Sequence, residues 1–397
     1  MSAKRTKEKS ESVEVIAYKF IGYPDEETAE TLTSFCNACR YMWNRFLADS
    51  LYFYKTIGGS LHPRPADYKD IEGLEWLNSV DSLALANVQM NFESAMEAFF
   101  DNRSGYPNFK KKRFCKMSYK TNLSNKQHPN LYLENEMLKL PKVKAPIRLN
   151  IRRKIRQGGV LKNCTVSLEH GKWFFSLLFE YPKTQYQLPD IDTEDFSHIG
   201  LDMFLPKLFV DSNGNSPEFI KAYAAAEKKL AKEQRKLSHM KGAKKREAQS
   251  NNYKKQKERV ARLHAKIKHQ RQDMLHKLSA YLTDKYDLIS VEDLDMSAMK
   301  KAMTFGKSVS DNGWGMFVQM LEYKQKKKGH VLIKVSKWYP SSKLCSHCGY
   351  IHKDLDLEDR MYVCPECGHI MNRDRQAAIN IDREGMQLYR EMIRNAA

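Results

Sequence analysis

The sequence lacks any run of about 18 consecutive apolar residues, the length that a helix needs to cross a bilayer. Its first twelve residues are polar and contain no apolar core of the kind found in secretory signal peptides. These two absences argue against membrane insertion and export. We therefore expect a cytoplasmic protein with no membrane partner.

Acidic residues are scarce in two stretches of the chain. None lies between Asp101 and Glu134, and residues 221–277 carry nineteen basic residues against five acidic ones. The whole chain of 397 residues has a formal charge of +19, so it attracts polyanions at long range. Charge alone does not distinguish DNA, RNA and an anionic membrane, and a solvated basic surface is the simplest alternative.

Residues 103–126 combine eight basic residues with four interleaved aromatic ones. Cations contact phosphates and aromatic faces stack on bases, so this mixture favours nucleic-acid contact. The alternative is a basic loop whose aromatic side chains pack inward. The candidate contacts in this stretch are Lys110, Lys111, Lys112, Arg113 and Tyr119.

The stretch from 217 to 285 has the pattern of a basic helical hairpin. No proline occurs between Pro217 and Pro340, and two apolar stripes at helical spacing are separated near Gly242 or Ser250. A solvated coiled coil would show the same pattern, but so strong a positive bias repels itself unless a polyanion is present. We therefore predict that this hairpin contacts nucleic acid.

Four of the eight cysteines lie close together in the sequence and form two C-x2-C pairs separated by fifteen residues. The four are Cys345, Cys348, Cys364 and Cys367. Thiols stay reduced in the cytosol, and this spacing is typical of a structural zinc site with four thiolate ligands. A metal-free ribbon is the alternative. Cys36 and Cys39 also have C-x2-C spacing, but their helical pattern and the lack of a second pair favour buried core thiols.

Three carboxylates far apart in the sequence each lie at a structurally significant position. Asp202 lies within a β pattern, Glu292 ends the apolar strand 288–292, and Asp374 opens a helical stretch. Any one of them alone would be read as a helix cap or a surface charge. Together, and in this order, they match the Asp–Glu–Asp arrangement of RNase H-like nucleases. Such a site binds two Mg²⁺ ions through carboxylate oxygens to hydrolyse a phosphodiester.

Several motifs in order give the chain a resemblance to the TnpB family. They are Gly200-Leu-Asp202, Arg271-Gln-Asp-Met-Leu-His-Lys277, Ser290-Val-Glu292, Ser310-Asp-Asn-Gly-Trp-Gly315, Pro340-Ser-Ser, the cysteine pairs, and Asn372-Arg-Asp374 with Ala-Ala-Ile-Asn380. The resemblance spans about residues 198–385. Three positions depart from the usual pattern: Phe204 replaces a common glycine, Asn372 replaces a common aspartate, and Gln376 replaces a common asparagine.

The resemblance implies an α/β multidomain fold. It consists of an RNase H-like (RuvC) nuclease with an inserted zinc ribbon, preceded by a β-barrel wedge domain that carries a helical recognition insertion. The implied boundaries are 1–24 and 128–195 for the wedge and its linker, 25–127 for the insertion and basic loop, 196–342 and 370–397 for the nuclease, and 343–369 for the ribbon.

The function implied by the resemblance is RNA-guided cleavage of double-stranded DNA beside a short adjacent motif. The guide RNA would be transcribed from a transposon end, the protein would lie at the nucleoid when bound to DNA, and Arg271 becomes a further candidate nucleic-acid contact. Asp202, Glu292 and Asp374 would hold two Mg²⁺ ions. A guided repressor without cleavage and a DNA transposase are the alternatives. A CRISPR-associated effector would act by the same chemistry, and the oligomeric state is left open.

Overall fold

The computed structural model describes residues 13–112, 115–124, 127–183, 186–204, 207–218, 221–240, 249–296, 313–356 and 359–396. The chain divides into two compact units, Met1–Thr184 and Gln185–Ala397, which are described separately. None of the helices within the described ranges combines the length and apolar composition that a membrane-spanning segment needs.

Seven strands of the first unit form one antiparallel sheet. They are β1 (Val13–Tyr23), β2 (Met117–Asn122), β3 (Tyr132–Glu134), β4 (Met137–Lys139), β5 (Ile147–Asn150), β6 (Val160–Glu169) and β7 (Lys172–Pro182). Their order is β2-β6-β7-β1-β5-β4-β3. Alternate residues of β7 are buried, from Trp173 to Tyr181, as expected for a strand with one face on a core.

Two long helices pack on this sheet, α1 (Glu26–Ile57) and α2 (Ser82–Phe100). Asp25 and Asp81 cap them by accepting hydrogen bonds from backbone N–H groups of the first turn. Their apolar faces and the inner face of the sheet form one continuous core. Cys36 and Cys39 lie in it, 4% and 6% exposed, which confirms the prediction of buried thiols.

The second unit contains a four-stranded mixed sheet. Its strands are β8 (His198–Phe204), β9 (Leu208–Asp211), β10 (Leu288–Glu292) and β11 (Val331–Val335), in the order β11-β10-β8-β9. Strands β8, β10 and β11 are parallel, and β9 pairs antiparallel with β8. The described residues of this unit contain four helices: α3 (Lys221–Ser238), α4 (Asn251–Lys285), α5 (Trp314–Lys328) and α6 (Arg373–Ala396). A small hairpin of β12 (Met361–Val363) and β13 (Ile370–Asn372) completes it.

Helices α3 and α4 pack against each other as the predicted hairpin. Gln256 on α4 is buried and donates to the backbone and side chain of Glu233 on α3, at 3.0 and 2.7 Å. Arg259 pairs with the same carboxylate at 3.4 Å. Ser250 caps α4, as the predicted break requires. The other predicted break, Gly242, lies outside the described residues.

Helix α6 packs directly on the sheet because two glycines allow a close approach. A Cβ at Gly200 of β8 would lie 2.2 Å from the backbone oxygen of Ala378, and a Cβ at Gly385 would lie 1.8 Å from Oγ of Ser290 on β10. Such distances are far below van der Waals contact. The face of the sheet that carries Gly200 and Ser290 is therefore the face that α6 covers.

We expect Gly200→Ala to destabilise the second unit by about 1–3 kcal/mol or more, because the added methyl group meets backbone atoms that cannot rotate away. Gly315→Ala, inside α5, is the matched control. Its new Cβ would meet Cγ of Met296 at an ordinary 3.4 Å, and alanine favours the helix. Chemical denaturation measures both. Equal stability of Gly200→Ala and wild type would contradict this packing.

Candidate active site

Asp202 and Glu292 lie next to each other towards the carboxyl ends of the two central strands, β8 and β10. Strands β8 and β10 are parallel, and the last pair in register is Leu201 with Val291. One further step along both strands brings Asp202 beside Glu292, with both side chains on the same face because side chains alternate with a period of two. Asp202 lies two residues after Gly200, so this is the face that α6 covers.

Helix α6 brings Asp374 to the same place. Asp382 on this helix accepts a hydrogen bond from Nδ1 of His198, at the start of β8, at 3.0 Å. From Asp382 back to Asp374 the helix rises about 12 Å, and from His198 to Asp202 the strand rises about 13 Å. The two elements therefore run alongside each other. The first turn of α6, which carries Asp374, lies beside Asp202 on β8. Asn372 caps this turn by accepting from the backbone N–H of Asp374 at 3.0 Å.

The electrostatics of Asp202 reflect these neighbours. Burial raises the pKa of its carboxyl well above the usual range, and the negative charges of Glu292 and Asp374 raise it further. The Arg373 guanidinium and the backbone N–H of Met203 oppose this rise. Burial also raises the pKa of Glu292. Groups that crowd negative charge in this way are typical of functional sites, because a bound cation relieves the repulsion.

The spacing of these carboxylates differs from that of a single-ion site. Within the described ranges, the four cysteines are a group whose ligand atoms all lie within 4.8 Å of one another. The three acids do not form such a group. Two ions about 3.5–4 Å apart need ligands spread over a wider region than one ion does. Hard divalent cations prefer oxygen ligands, so the donor set suits magnesium.

The four cysteines form a compact group, with all sulfurs within 4.8 Å of one another. The sulfurs of Cys345 and Cys367 lie 3.7 Å apart, and those of Cys348 and Cys364 lie 3.6 Å apart. Around a tetrahedral zinc ion with Zn–S bonds of about 2.3 Å, the sulfurs would be about 3.8 Å apart. The two sulfur–sulfur distances therefore match those around a zinc ion. His347, His352 and His369 lie outside this ligand group.

Each cysteine pair lies on the same type of turn. The backbone N–H of Gly349 donates to Cys345 at 3.0 Å, and that of Gly368 donates to Cys364 at 3.0 Å. Both glycines adopt positive φ, 77° and 70°, which a side chain would disfavour. Burial alone would raise the pKa of the Cys364 thiol, but backbone N–H groups of Cys367 and Glu366 lower it to about 6. A thiolate is the form that binds metal.

Comparison with known proteins places this arrangement in a family. Residues 314–381 match the family described as Cas12f1-like, TNB domain, and residues 176–303 match the family described as Probable transposase. A protein of Streptomyces pristinaespiralis, named "Putative RNA-guided DNA endonuclease", is 31% identical over 93% of this chain and 89% of its own length. The chain belongs to the TnpB family.

Other TnpB relatives and one solved structure agree with this placement. InsQ of Escherichia coli K12, which bears the same name, is 29% identical over 92% of this chain and 91% of its own. A cryo-EM structure of a Cas12f1–sgRNA–target DNA complex covers 90% of this chain and 83% of its own at a TM-score of 0.57 and 15% identity. At that identity the likeness concerns the fold alone, and it confirms the predicted fold class.

In this TnpB family member the cysteine ribbon is attached to α6 by buried polar side chains that the sequence did not reveal. Asn380, 1% exposed, donates to the carbonyls of Ser341 and Leu344 at 2.8 and 2.7 Å. Gln376, fully buried, donates to Leu344 at 2.9 Å and accepts from Ser346 Oγ at 2.9 Å. Both lie within two turns of Asp374. The ribbon therefore fixes the end of the helix that carries the third carboxylate.

We expect Asn380→Ala to lower the melting temperature of the second unit by about 2–10 °C, because the buried Ser341 carbonyl loses its donor and the Leu344 carbonyl keeps only Gln376, at a cost of about 1–3 kcal/mol. It should also speed release of the cysteine-bound metal to a chelator. Gln387→Ala, an exposed residue on the same helix, is the control. Calorimetry and a colorimetric chelator assay measure both effects. Identical values for the two variants would contradict the attachment.

The candidate contacts in the basic loop differ in their surroundings. Tyr119 is 4% exposed and packs edge-to-face on Phe35 in the core, so its proposed base stacking is wrong. Lys110 is held by Asn44, which exchanges two hydrogen bonds with its backbone, and its ammonium lies 3.7 Å from the Trp43 ring centroid. Burial lowers the pKa of this ammonium, and its contact with nucleic acid stays a prediction.

The remaining candidates differ in what the structure describes of them. Lys111 and Lys112 directly follow the fixed Lys110 and are exposed. Arg113 lies outside the described residues. Arg271 lies on α4 in the second unit, partly buried beside Gly313.

Proposed function

We propose that this protein is an RNA-guided endonuclease that cleaves double-stranded DNA next to a short adjacent motif. The observation that carries the proposal is the convergence of Asp202, Glu292 and Asp374 at one sheet edge. The names of the two full-length relatives support the guided activity. Mg²⁺ ions, when bound, would supply an activated water and stabilise the leaving oxygen.

The side chains of the site divide the work. Asp202, the central and most strongly perturbed carboxylate, would contact both ions, while Glu292 and Asp374 would each complete the shell of one. Asn372 holds the first turn of α6, and Arg373 moderates the negative charge around Asp202. Zinc on the four cysteines would be structural, because four thiolates leave no open coordination position.

The other parts of the chain would handle nucleic acid. Residues 1–24 and 128–195 would form the wedge domain, 25–127 the recognition insertion, 196–342 with 370–397 the nuclease, and 343–369 the ribbon. The guide RNA, transcribed from the transposon end, would read the target by base pairing while the protein reads the short motif and the duplex shape. Lys111, Lys112, Arg113 and Arg271 are the proposed contacts to phosphates.

The decisive experiment uses the protein purified with the RNA that accompanies it. The RNA is sequenced, and a plasmid library with the matching target beside a randomised stretch is incubated with the complex and Mg²⁺. We expect a structured RNA with a variable terminal guide and cuts only beside one short motif. EDTA and a plasmid without the target are the controls.

The alternatives give different products in the same experiment. Tight, guide-dependent binding of the target without cuts would favour a guided repressor. Joined DNA strands would favour a transposase. Recovery of random cellular RNA alone would contradict guidance.

A further inference from the structure

Residues 336–344 run from the end of β11 into the start of the ribbon. This segment borders the candidate active site. It begins directly after Val335, which pairs in register with Glu292. It ends at Leu344, whose carbonyl accepts from Gln376 and Asn380, both within two turns of Asp374. The segment therefore runs along the edge of the site, from one carboxylate to another.

Trp338 is the third residue of this segment. Its side chain is 83% exposed, more than any other large apolar side chain in the described ranges. The chain's other four tryptophans are much less exposed: Trp314, Trp43 and Trp173 are at most 8% exposed, and Trp76, at 41%, contacts the ring of Tyr41. Tryptophan is rarely left in water without a partner, since its ring is the largest apolar surface of any residue. The exposure points to a ligand.

The turn that carries Trp338 is held by its own hydrogen bonds. The backbone N–H of Trp338 donates to Ser336 Oγ at 3.3 Å, and that of Tyr339 donates to the Ser336 carbonyl at 2.9 Å. The Lys337 ammonium lies 5.1 Å from the Trp338 ring centroid. A preorganised turn thus presents a cation beside an aromatic face, the pair of groups that one nucleotide needs for its phosphate and its base.

We propose that Trp338 is a stacking platform for a base of single-stranded DNA at the nuclease site, with Lys337 contacting the adjoining phosphate. This rests on the proposed function. A base within a duplex is already stacked on its neighbours, so the ring accepts only an unpaired strand. The net charge of +19 and the site's border favour a nucleic acid over a protein partner at this position.

The test uses the protein–RNA complex and tryptophan fluorescence in Ca²⁺, with a gel to verify that the strand stays intact. The probe is a single strand of about ten thymidines, within the usual site size of one binding groove. We expect saturable quenching that is lost in Trp338→Phe and kept in Trp76→Phe, the control with the other exposed tryptophan. A duplex of equal length should quench little.

Kinetics give the second measurement. In Trp338→Ala we expect the apparent affinity for the cleaved strand to fall between about 5-fold and 150-fold, with little change in the rate at saturation. Lys337→Ala should weaken binding less and flatten its salt dependence.

Three results would overturn the proposal: no quenching in wild type, quenching that survives in Trp338→Phe, or equal quenching by the duplex. A change in sedimentation of Trp338→Ala with unchanged quenching would assign the ring to a protein partner instead. If the wild type binds the strand through Trp338 but never cuts DNA, the proposed nuclease function fails while this contact stands.

Discussion

Asp202→Asn should abolish DNA cleavage, lowering the single-turnover rate by about a thousand-fold or more. The substitution keeps the size and hydrogen-bonding capacity of the side chain but removes the charge that divalent ions need, and metal-ion catalysis supplies several kcal/mol of the barrier reduction. The RNA and the target should remain bound, because guide pairing and phosphate contacts lie elsewhere. Cleavage of pre-bound target in Mg²⁺ measures the rate, and electrophoretic mobility measures binding.

Glu322→Gln is the matched control for Asp202→Asn. It removes one negative charge from the same unit at an exposed position on α5, where the carboxylate pairs with Lys334. We expect a rate close to wild type. A residual rate above about one tenth of wild type in Asp202→Asn would remove that carboxylate from the catalytic machinery.

The same variant has an opposite effect on stability when no divalent ion is present. The pKa of the Asp202 carboxyl is higher in the folded protein than in the unfolded chain, so ionisation costs stability as the pH rises above about 4. Asparagine removes that cost. We therefore expect Asp202→Asn to melt at a higher temperature than wild type at pH 7 in EDTA, with the difference shrinking towards pH 4. Mg²⁺ should stabilise wild type and leave the variant unchanged.

Cys364→Ser should cause the largest loss of stability. The side chain is 2% exposed, and its sulfur is one of the four in the cysteine group. Binding of structural zinc contributes roughly 10–16 kcal/mol to the folding of small zinc domains. We expect the metal content to fall from about one ion per chain to near zero. Because the ribbon holds α6 through Gln376 and Asn380, Asp374 should lose its fixed position and cleavage should fail as well.

Cys115→Ser serves as the thiol control, since Cys115 lies in the first unit and outside the ligand group. Elemental analysis, thermal unfolding and cleavage are measured on both variants. Full metal content in Cys364→Ser would show that this thiol is not a ligand. Loss of the metal without any effect on the melting temperature would contradict the structural role of the ribbon.

The three carboxylates could be selected from the sequence because each belongs to a clearly patterned element. Asp202 and Glu292 follow apolar strand residues, and Asp374 opens an amphipathic helix, so the elements themselves bring the acids together. The cysteine ribbon was equally predictable, because zinc geometry constrains the spacing of its ligands. In both cases chemistry limits the residue type and the fold limits its position.

Partners that depend on tertiary packing were not predictable. Gln376 and Asn380 look like ordinary polar helix residues, and only the docked ribbon reveals their acceptors. Tyr119 was assigned to base stacking from composition, although the alternation of Tyr119 and Thr121 with exposed Lys120 was a strand signal for an inward-facing ring. The hydrogen bonds between Asn44 and the backbone of Lys110 are a further example, because nothing in the sequence links two residues 66 positions apart.

Crystals of the complex soaked in Mn²⁺ and measured at the manganese absorption edge would test the shared metal site most directly. We expect two anomalous peaks about 3.5–4 Å apart, with oxygens of Asp202 near both and those of Glu292 and Asp374 near one each. Peaks at other positions, or three carboxylates that share no ion at saturating Mn²⁺, would contradict the account.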